Sequence, residues 1–381
     1  MTRTVGNSCR FPVPAPHSTP TATCQEEAPI VTSRPTQTIP ANLVSDAGLW
    51  NDAVEAGNGH LLQSWEWGQF KSDFGWEAER IAVEEGDNRI LAQVLFRGRM
   101  GVSMGYIPRG PVVVGNAAAI WPSFLARLDT LARRRRAIVT AIEPNQALGL
   151  TGSFRQAGLV AGPHHVQPGR TVIVPLHESP DAQLKQMHQK TRYNVRLADK
   201  RGIEIERAAV TSANIERFYA LMEDTSDRNE FGIHSHAYYE GFLNAFGERA
   251  TLLFAHYEGR DAATIITARF GAEAIYMYGA SSTTHRAHGA AFRLQFEAMR
   301  WAWENGSTTY DLWGIPDKDP ETMMSDEGEG KAAGTKGDDW RGLYRFKTGF
   351  GGTIVSYPPT LERRHVPVLP GIARRLNLIR G

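Results

Sequence analysis

Hydrophobic residues along this chain follow two spacings: some alternate with polar residues, and others recur every three or four positions. The first spacing predicts β-strands and the second predicts amphipathic α-helices. Residues 1–45 show neither spacing and hold seven of the 21 prolines among Ser and Thr, which predicts a disordered tail. The elements predicted in the first half are, in chain order, a helix 64–73, strands 80–84, 90–97 and 102–114, a helix 117–135, a strand 137–142, a short helix ending at Gly158 and a strand 171–176. Those that follow are a helix 179–202, a strand 203–207, helices 214–224 and 237–246, and strands 251–257, 263–270 and 274–280. The last are a helix 291–305, a strand 309–314, a helix 342–348 and a strand 353–357.

The predicted elements form a repeat. The second half has the order β-α-α-β-β-β-α-β-α-β, and the first half has the same order with its start shortened. The segments SFLARLDTLARRRRAIVTAIEP and RLQFEAMRWAWENGSTTYDLWGIP each give a helix, a polar corner and a strand ending in an acid, Glu143 or Asp311. This order is that of the GCN5-related N-acyltransferase fold, so we predict an α/β (α+β) protein with two tandem domains of this type. The predicted boundaries are 46–178 for the first domain, 179–360 for the second with an acidic, glycine-rich loop at 317–341, and 361–381 for a basic C-terminal tail.

The totals exclude several classes of protein. The chain has 381 residues and a formal net charge of +1, so a contact with nucleic acid must come from a local basic patch. Its two cysteines, Cys9 and Cys24, predict neither a disulfide framework nor a cysteine-based metal site. No apolar run approaches ~18 residues, and no apolar segment follows the basic start MTRTVGNSCR. We therefore expect a cytoplasmic protein.

Six motifs occur in order along the chain: LLQSWEWGQFK, GYIPRGP, KTRYNVRLADKRG, YMYGASS, YDLWGIP and LYRFKTGFGG. Together they resemble the Fem family of peptidoglycan interpeptide-bridge aminoacyltransferases, and the absence of an inserted arm makes the sequence similar to the compact members. The resemblance implies transfer of an amino acid from aminoacyl-tRNA to the stem-peptide amine of a peptidoglycan precursor, lipid II or UDP-MurNAc-pentapeptide. Because the ester donor is already activated, we expect no metal and no cofactor beyond aminoacyl-tRNA as co-substrate. A monomer is expected.

The last motif places one lysine, Lys347, between an aromatic pair and a run of glycines. The resemblance implies that Lys347 is catalytic, by stabilising the oxyanion of the reaction or by holding a donor phosphate, and that Phe346 contacts substrate. The alternative is a solvated lysine in the last turn of a helix, where the helix dipole favours a cation. In the matching segment of the first half, FRQAGL, the corresponding residue is Gln156, so the fold itself does not require a lysine.

The helix predicted around residues 184–201 is strongly basic, with six basic residues and one acid from Lys185 to Arg201. Several of the basic residues lie on one flank, beside the stripe predicted to be buried. Like charges at i,i+4 are destabilising, so this flank predicts a polyanionic partner. Arg192 and Arg196 are the residues we expect to contact phosphates of tRNA or of the precursor. The alternative is an ordinary solvated helix face.

The resemblance implies further substrate-binding residues in both halves. They are Lys71, Tyr106 and Arg109 in the first half, and Arg228, Tyr239, Tyr276, Tyr278, Asp311 and Trp313 in the second. The register leaves Gln69 as an alternative to Lys71. Tyr276 and Tyr278 are predicted to share one face of a strand, because side chains two residues apart point the same way. Asp311 is open between a structural hydrogen-bond acceptor and a base.

Two other functions stay open. RAHGAA, residues 286–291, matches the R-x-x-G-x-A pattern that binds the pyrophosphate of acyl-CoA, which would make the protein an N-acyltransferase acting on a small amine. A protein that binds tRNA or precursor without catalysis is the other. Near the C-terminus, Ile372, Leu376 and Ile379 can share a helical face among arginines, so peripheral contact with the cytoplasmic membrane surface is a further expectation, against an ordinary frayed terminus.

Overall fold

The computed structural model of the protein describes residues 42–150, 154–162, 166–229, 232–285, 288–317 and 340–366. The predictions for residues 1–41, for most of the acidic loop and for the apolar face after residue 367 lie outside these ranges. Leu43, which the predicted tail includes, is only 3% exposed. No helix among the described residues is both long enough and apolar enough to cross a membrane.

The first half is built on a mixed sheet of seven strands among the described residues, in the order β1-β2-β3-β5-β14-β6 with β4 paired to β2. The strands are β1 (Glu77–Glu85), β2 (Asn88–Arg99), β3 (Val102–Ile107), β4 (Val112–Val114), β5 (Ala137–Ile142), β6 (Val160–Ala161) and β14 (Leu361–Arg364). The helices of this half are α1 (Ala47–Ala56), α2 (Trp65–Ser72) and α3 (Ala117–Arg134). Helix α1, which the sequence did not predict, begins at the N-cap Asp46, whose side chain accepts from the Leu49 amide.

The second half is built on another sheet of seven strands within the described part of the chain, in the order β13-β7-β12-β11-β10-β9-β8. The strands are β7 (Arg170–Pro175), β8 (Glu204–Ala208), β9 (Ala250–Tyr257), β10 (Arg260–Phe270), β11 (Glu273–Ser281), β12 (Thr309–Gly314) and β13 (Thr353–Ser356). The helices are α4 (Pro180–Gln186), α5 (Gln189–Lys200), α6 (Ser212–Asn229), α7 (His236–Phe246), α8 (Ala290–Glu304) and α9 (Trp340–Thr348).

The two sheets repeat one arrangement. In each, antiparallel strands lead to one parallel pair whose members are joined by a helix: β3 and β5 across α3, and β11 and β12 across α8. The predicted duplication of an α/β unit is therefore confirmed. The halves also share a hydrophobic core, in which Trp50 and Phe70 of the first half lie in one cluster with Phe218, Phe242 and Ile266 of the second.

Two strands belong to a different sheet from the one that the predicted domain boundaries imply. Strand β7, placed before residue 178 in the first domain, pairs with β12 and β13 of the second sheet. Strand β14, placed in the basic tail, pairs with β5 and β6 of the first sheet. Arg363 of β14 also forms an ion pair with Asp129 of α3, at 2.6 Å. The hydrophobic pattern of a strand does not identify its partner, so these two assignments were wrong.

The helix predicted at 179–202 is two helices. Its predicted start is confirmed, since Ser179 caps α4 and Pro180 is the first helical residue. Met187 and His188 then have extended backbone, and the His188 amide donates to the carbonyl of Gly349 at 2.9 Å. This contact with a distant segment replaces a helical hydrogen bond, and no glycine or proline marks the break in the sequence. The short helix predicted to end at Gly158 is a turn over the described residues 154–158.

Candidate active site

The parallel strands β11 and β12 of the second half separate well before their carboxyl ends. In the described residues, the pairing of β11 with β12 covers three residue pairs and ends at Ile275 and Asp311. On the other side of β12, the pairing with β7 is interrupted between Asp311 and Gly314, and Trp313 there has a positive φ of 61°. β11 and β12 therefore diverge next to Gly314, and the gap between these two strands is termed the cleft.

Lys347 lies at this opening. It stands in the last turn of α9, its side chain is buried, and its Nζ donates to the carbonyl oxygen of Gly314 at 2.7 Å. The Nζ is also 5.5 Å from the ring centroid of Tyr276. Burial lowers the pKa of Lys347 to about 8, and the Asp311 carboxylate opposes this shift. The alternative of a solvated lysine is wrong, because only 5% of this residue is exposed.

The glycines after Lys347 allow its segment to pack closely on the α4–α5 junction. A Cβ atom on Gly349 would lie 2.2 Å from Oγ1 of Thr191. Gly351 has φ of 84°, and a Cβ atom there would lie 2.1 Å from the backbone oxygen of Gln186. The run of glycines therefore fixes the end of α9 against the start of α5.

A β-bulge separates the two tyrosines that were predicted to share one face. In the pairing of β11 with β10, Tyr276 lies opposite Thr267 and Tyr278 lies opposite Ile266, so Met277 is an extra residue. Tyr276 consequently packs in the core under α8 and faces Lys347, whereas Tyr278 packs in the core shared by the two halves. The predicted common face was wrong, since alternation fails at a bulge.

Asp311 is fully buried and its carboxylate is occupied by hydrogen bonds. It accepts from the hydroxyl of Thr171 and, at 2.6 Å, from the amide of Trp313, and the hydroxyl of Tyr357 lies 3.4 Å away. Burial raises the pKa of Asp311, while these hydrogen bonds and the charges of Arg109 and Lys347 act in the opposite direction. Of the two interpretations left open by the sequence, these contacts favour a structural acceptor.

Arg109, predicted to bind substrate, lies inside the protein. It is 1% exposed, its φ is 48°, and its Nη2 donates to the carbonyl of Pro168 at 2.8 Å. Its guanidinium carbon lies 3.4 Å from the ring centroid of Tyr357 and 5.7 Å from that of Trp313. Burial raises the pKa of Asp311 and of Glu273, and the charge of Arg109 opposes this rise, so Arg109 acts as a buried cation between the two halves.

One set of side chains near Arg109 has the composition of a metal site. Ligand atoms of His60, Glu273 and Asp311 lie within 4.8 Å of one another. However, Nδ1 of His60 accepts from the amide of Leu62 at 3.0 Å, so the neutral ring carries its proton on Nε2, the nitrogen that faces Glu273. Burial, followed by the charge of Asp311, raises the pKa of Glu273 to about 8. A protonated ring nitrogen and the nearby Arg109 do not fit a bound cation.

A groove with a volume of about 800 Å³ runs between the halves. Four predicted residues line it: Lys71, Tyr106, Tyr278 and Trp313. Sequence reasoning missed other residues of its wall, among them Trp67, Trp76, Arg97, Gln167, His234, Tyr238 and the acid Glu362. Trp313 of this groove is the chain neighbour of Gly314, which accepts the hydrogen bond of Lys347.

Lys71 is enclosed by aromatic rings at one end of the groove. Its Nζ lies 3.4 Å from the hydroxyl of Tyr238, and 5.6 Å and 5.7 Å from the ring centroids of Trp67 and Trp76. Burial, followed by repulsion from Arg97, lowers the pKa of Lys71 to about 8. The alternative residue, Gln69, is exposed and does not line the groove, so the geometry favours Lys71.

Tyr106 forms part of the groove wall through a carboxylate network. Its hydroxyl donates to Oε2 of Glu143 and accepts from the side-chain amide of Gln167 at 3.1 Å. Glu143 also accepts from the amides of Val166 and Gln167 and from the hydroxyl of Thr360. Glu143, the acid that ends β5, therefore holds the wall together and leaves Tyr106 buried.

The remaining predicted residues have structural contacts. The ring of Phe346 packs on Phe292 and Phe350, at 4.9 Å and 5.3 Å between centroids. Arg228 donates to the carbonyl of Ser281 and to the hydroxyl of Thr283 at the end of β11, at 3.0 Å and 2.7 Å.

Tyr239 is buried, with its hydroxyl 3.1 Å from the amide of His234, and it is the adjacent Tyr238 that lines the groove. Positions 239, 242 and 246 form the buried stripe of α7, a signal that could have assigned Tyr239 to the core. Arg192 donates to the carbonyls of Lys185 and Met187 and so caps α4, whereas Arg196 is exposed.

The acyl-CoA motif falls on the start of α8. Its Arg286 and Ala287 lie outside the described residues. Gly289 has φ of 82°, and a Cβ atom there would lie 2.8 Å from the backbone oxygen of Asn194 in α5. The glycine of the motif is thus explained by the close packing of α8 on α5.

Known proteins share both the sequence pattern and the fold. The model of the FemAB family matches residues 50–158, 152–261 and 258–369. The lipid II:glycine glycyltransferase of Staphylococcus saprophyticus is 25% identical over 347 residues, covering 69% of this chain and 82% of that protein. That of Staphylococcus aureus is 26% identical over 350 residues, with the same coverage. A crystal structure of FemX has 21% identity and a TM-score of 0.69, covering 86% of this chain and 98% of that one. The chain therefore belongs to the FemAB family, as its motifs predicted, and is an aminoacyltransferase.

Proposed function

We propose that the protein transfers an amino acid from aminoacyl-tRNA to the stem-peptide amine of a peptidoglycan precursor, lipid II or UDP-MurNAc-pentapeptide. The observation that carries this proposal is the buried Lys347, held by the carbonyl of Gly314 where β11 and β12 separate. Both staphylococcal relatives carry the name lipid II:glycine glycyltransferase, which supports a lipid-linked precursor as acceptor.

Lys347 supplies the positive charge that this reaction needs. The acceptor nitrogen attacks the ester carbonyl, a C–N bond forms, and the carbonyl oxygen becomes an oxyanion beside the lysine ammonium. The C–O bond to the ribose then breaks, and the ribose oxygen takes up a proton as the nitrogen loses one. An ammonium with a pKa of about 8 is charged at neutral pH and, being desolvated, interacts strongly with the oxyanion.

The groove between the halves has the chemistry to hold the precursor. Lys71 and Arg97 present two cations for phosphate or carboxylate groups. The rings of Trp67, Trp76 and Tyr238 offer flat apolar surfaces for a sugar or a base. The partly desolvated Lys71 favours a negatively charged group of the ligand, because its own positive charge is poorly compensated.

The function is tested by supplying purified protein with defined donors and acceptors and following product mass. Aminoacyl-tRNA together with lipid II, or with UDP-MurNAc-pentapeptide, should give a stem peptide heavier by one aminoacyl residue. The matched control replaces aminoacyl-tRNA by acetyl-CoA and the precursor by a small amine. Acylation in the control alone would overturn the proposal in favour of the acyl-CoA enzyme. Binding of both substrates without any product would leave a binding protein.

A further inference from the structure

Helix α5 presents an exposed aromatic ring among basic side chains. Tyr193 is 61% exposed, whereas tyrosine is intermediate among residue types in its tendency to be buried. At 100° per residue, Tyr193 lies opposite the buried residues Thr191, Val195 and Ala198. Its neighbours on the helix surface form the outer face of α5, defined by Gln189, Lys190, Tyr193, Arg196 and Lys200, all of them exposed.

The outer face of α5 keeps its positive charge. The only acid of this helix, Asp199, forms an ion pair with Arg293 of α8 at 2.7 Å between Oδ1 and Nε. Arg192, in contrast, is turned toward α4 and uses its guanidinium to cap that helix. The basic charge available to a partner therefore comes from Lys190, Arg196 and Lys200, spaced along about 15 Å of helix.

The position of α5 is fixed by the segment that carries Lys347. The amide of His188, the N-cap of α5, donates to the carbonyl of Gly349, two residues after the lysine. Thr191 packs on the same glycine so closely that a Cβ atom would lie 2.2 Å from its hydroxyl. A ligand that follows the outer face of α5 toward its N-terminus therefore arrives beside the cleft at Lys347.

We propose that the outer face of α5 binds the single-stranded 3′ end of the aminoacyl-tRNA, with Tyr193 stacked on a base and Lys190, Arg196 and Lys200 contacting phosphates. This inference rests on the proposed function and deepens it, since it assigns a surface to the donor. Single-stranded RNA is held by this combination of aromatic rings that stack on bases and cations that follow the backbone.

An anionic membrane would also attract basic side chains, but the outer face of α5 does not suit it. A helix that lies on a lipid surface inserts a broad apolar face. The apolar face of α5 is covered, because Val195 and Ala198 pack in the core with Leu294 and Ala298 of α8. A single ring between basic residues fits a stacked base and offers little to acyl chains.

The test measures binding of a tRNA acceptor minihelix that ends in a single-stranded CCA, by fluorescence anisotropy. Tyr193→Ala should weaken binding about tenfold, the usual loss for one stacked base, whereas Tyr193→Trp should retain it. The double variant Lys190→Ala with Arg196→Ala should lower the slope of log affinity against log salt by about 0.7 for each phosphate that is no longer neutralised. Phe154→Ala, which removes another exposed aromatic ring from the first half, is the matched control and should bind normally.

The same variants separate this inference from the proposed function. With aminoacyl-tRNA as donor, Tyr193→Ala should raise KM for the donor about tenfold and leave kcat largely unchanged. Wild-type transfer combined with unchanged donor KM and minihelix affinity in Tyr193→Ala overturns the inference and leaves the function standing. Loss of binding to phosphatidylglycerol vesicles, with RNA binding intact, overturns it in favour of a membrane contact. A wild-type protein that transfers nothing from aminoacyl-tRNA overturns both.

Discussion

Each half of this protein contains one parallel strand pair. The two pairs correspond to each other in the sequence repeat, but their pairing extends to different points along the strands. In the first half, β3 and β5 stay paired to Ile107 and Ile142, and the amide of Glu143 continues the ladder to the carbonyl of Ile107. In the second half, β11 and β12 part after Ile275 and Asp311. The closed pair forms part of the groove wall, since Tyr106 and Ala141 line it. The open pair leaves the gap that Lys347 faces.

The residues that follow the two strand pairs also differ, in how deeply they are buried. Gln156 lies in an exposed turn, while its counterpart Lys347 is buried in the cleft and bonded to Gly314. Glu143, which directly follows β5, and Asp311, which lies within β12, both accept several hydrogen bonds. The acid is thus a structural feature of both halves, and the proposed chemistry depends on the opened strand pair and its lysine.

Removing the lysine should have the largest effect. Lys347→Met should lower kcat by about 10²–10³, the usual loss of one group that stabilises an oxyanion. The reason is that the oxyanion would form in a desolvated cleft without a cation. Transfer is measured by the mass of the stem peptide, and thermal unfolding shows that the variant is folded.

Gln156→Met is the matched change in the first half and should leave kcat unchanged. Equal losses of kcat in the two variants would contradict the proposal that only the second half supplies the catalytic residue. Full activity of Lys347→Met would remove the lysine from the mechanism.

Substituting a glycine after Lys347 should destabilise the protein more than substituting the glycine after its counterpart Gln156. Gly351→Ala should lower the free energy of unfolding by about 2–4 kcal/mol, because φ is positive and the new Cβ atom would meet the backbone oxygen of Gln186. Gly158→Ala in the first half has a similar φ, but its new Cβ atom would meet the movable end of Arg363 at 2.7 Å. Its expected loss is about 1–2 kcal/mol. Urea unfolding of both variants measures the difference, and a larger loss at Gly158 would be inconsistent with it.

The bulge in β11 predicts two separable kinetic effects. Tyr276→Leu should lower kcat about tenfold, since it removes the ring beside Nζ of Lys347. Tyr278→Leu should instead raise KM for the precursor, because this ring lines the groove between the halves. Steady-state kinetics with the precursor varied distinguishes the two. The same parameter changing in both variants would indicate that the tyrosines share one face after all.

The smallest effect expected is the dependence on pH that Lys347 contributes. The pKa of Lys347 falls from 10.5 to about 8 on folding, so kcat should decline as pH rises through about 8 and the ammonium is lost. Between these two values the unfolded chain binds more protons than the folded one, so the contribution of Lys347 to stability rises with pH there. Lys347→Met should show a smaller rise than the wild type in urea unfolding measured from pH 8 to 10, and the part that remains comes from Lys71, whose pKa is also lowered to about 8. A rise of equal size in the two proteins would assign it to another group.

Local patterns predicted most helices and strands, because hydrophobic spacing and helix caps depend on residues that are close together in the sequence. The α4–α5 break was not predictable in this way, since a contact of His188 with Gly349 causes it. The bulge at Met277 was not predicted either, although Gly279 in the same strand was a signal for it. The partner of β14 was missed because a strand's hydrophobicity does not specify its neighbour.

The candidate site shows the same limit. The motif around Lys347 singled out a lysine that is buried at the cleft, and the motif around Lys71 singled out a residue that lines the groove. The motif containing Arg109 predicted ligand binding, but this residue is covered by Pro168 and Tyr357. A family motif marks a position that matters and does not distinguish a residue that contacts substrate from one that joins two halves.

The position of β14 has a consequence for how the chain reaches its fold during synthesis. The first sheet needs residues 361–364, which the ribosome delivers only after every strand of the second sheet has been made. Until then the edges of β5 and β6 that β14 covers stay unpaired, and an unpaired edge can join another chain. The amino-terminal half, although translated first, is therefore the last to be completed, and a nascent chain that stops before residue 361 exposes an edge prone to aggregation.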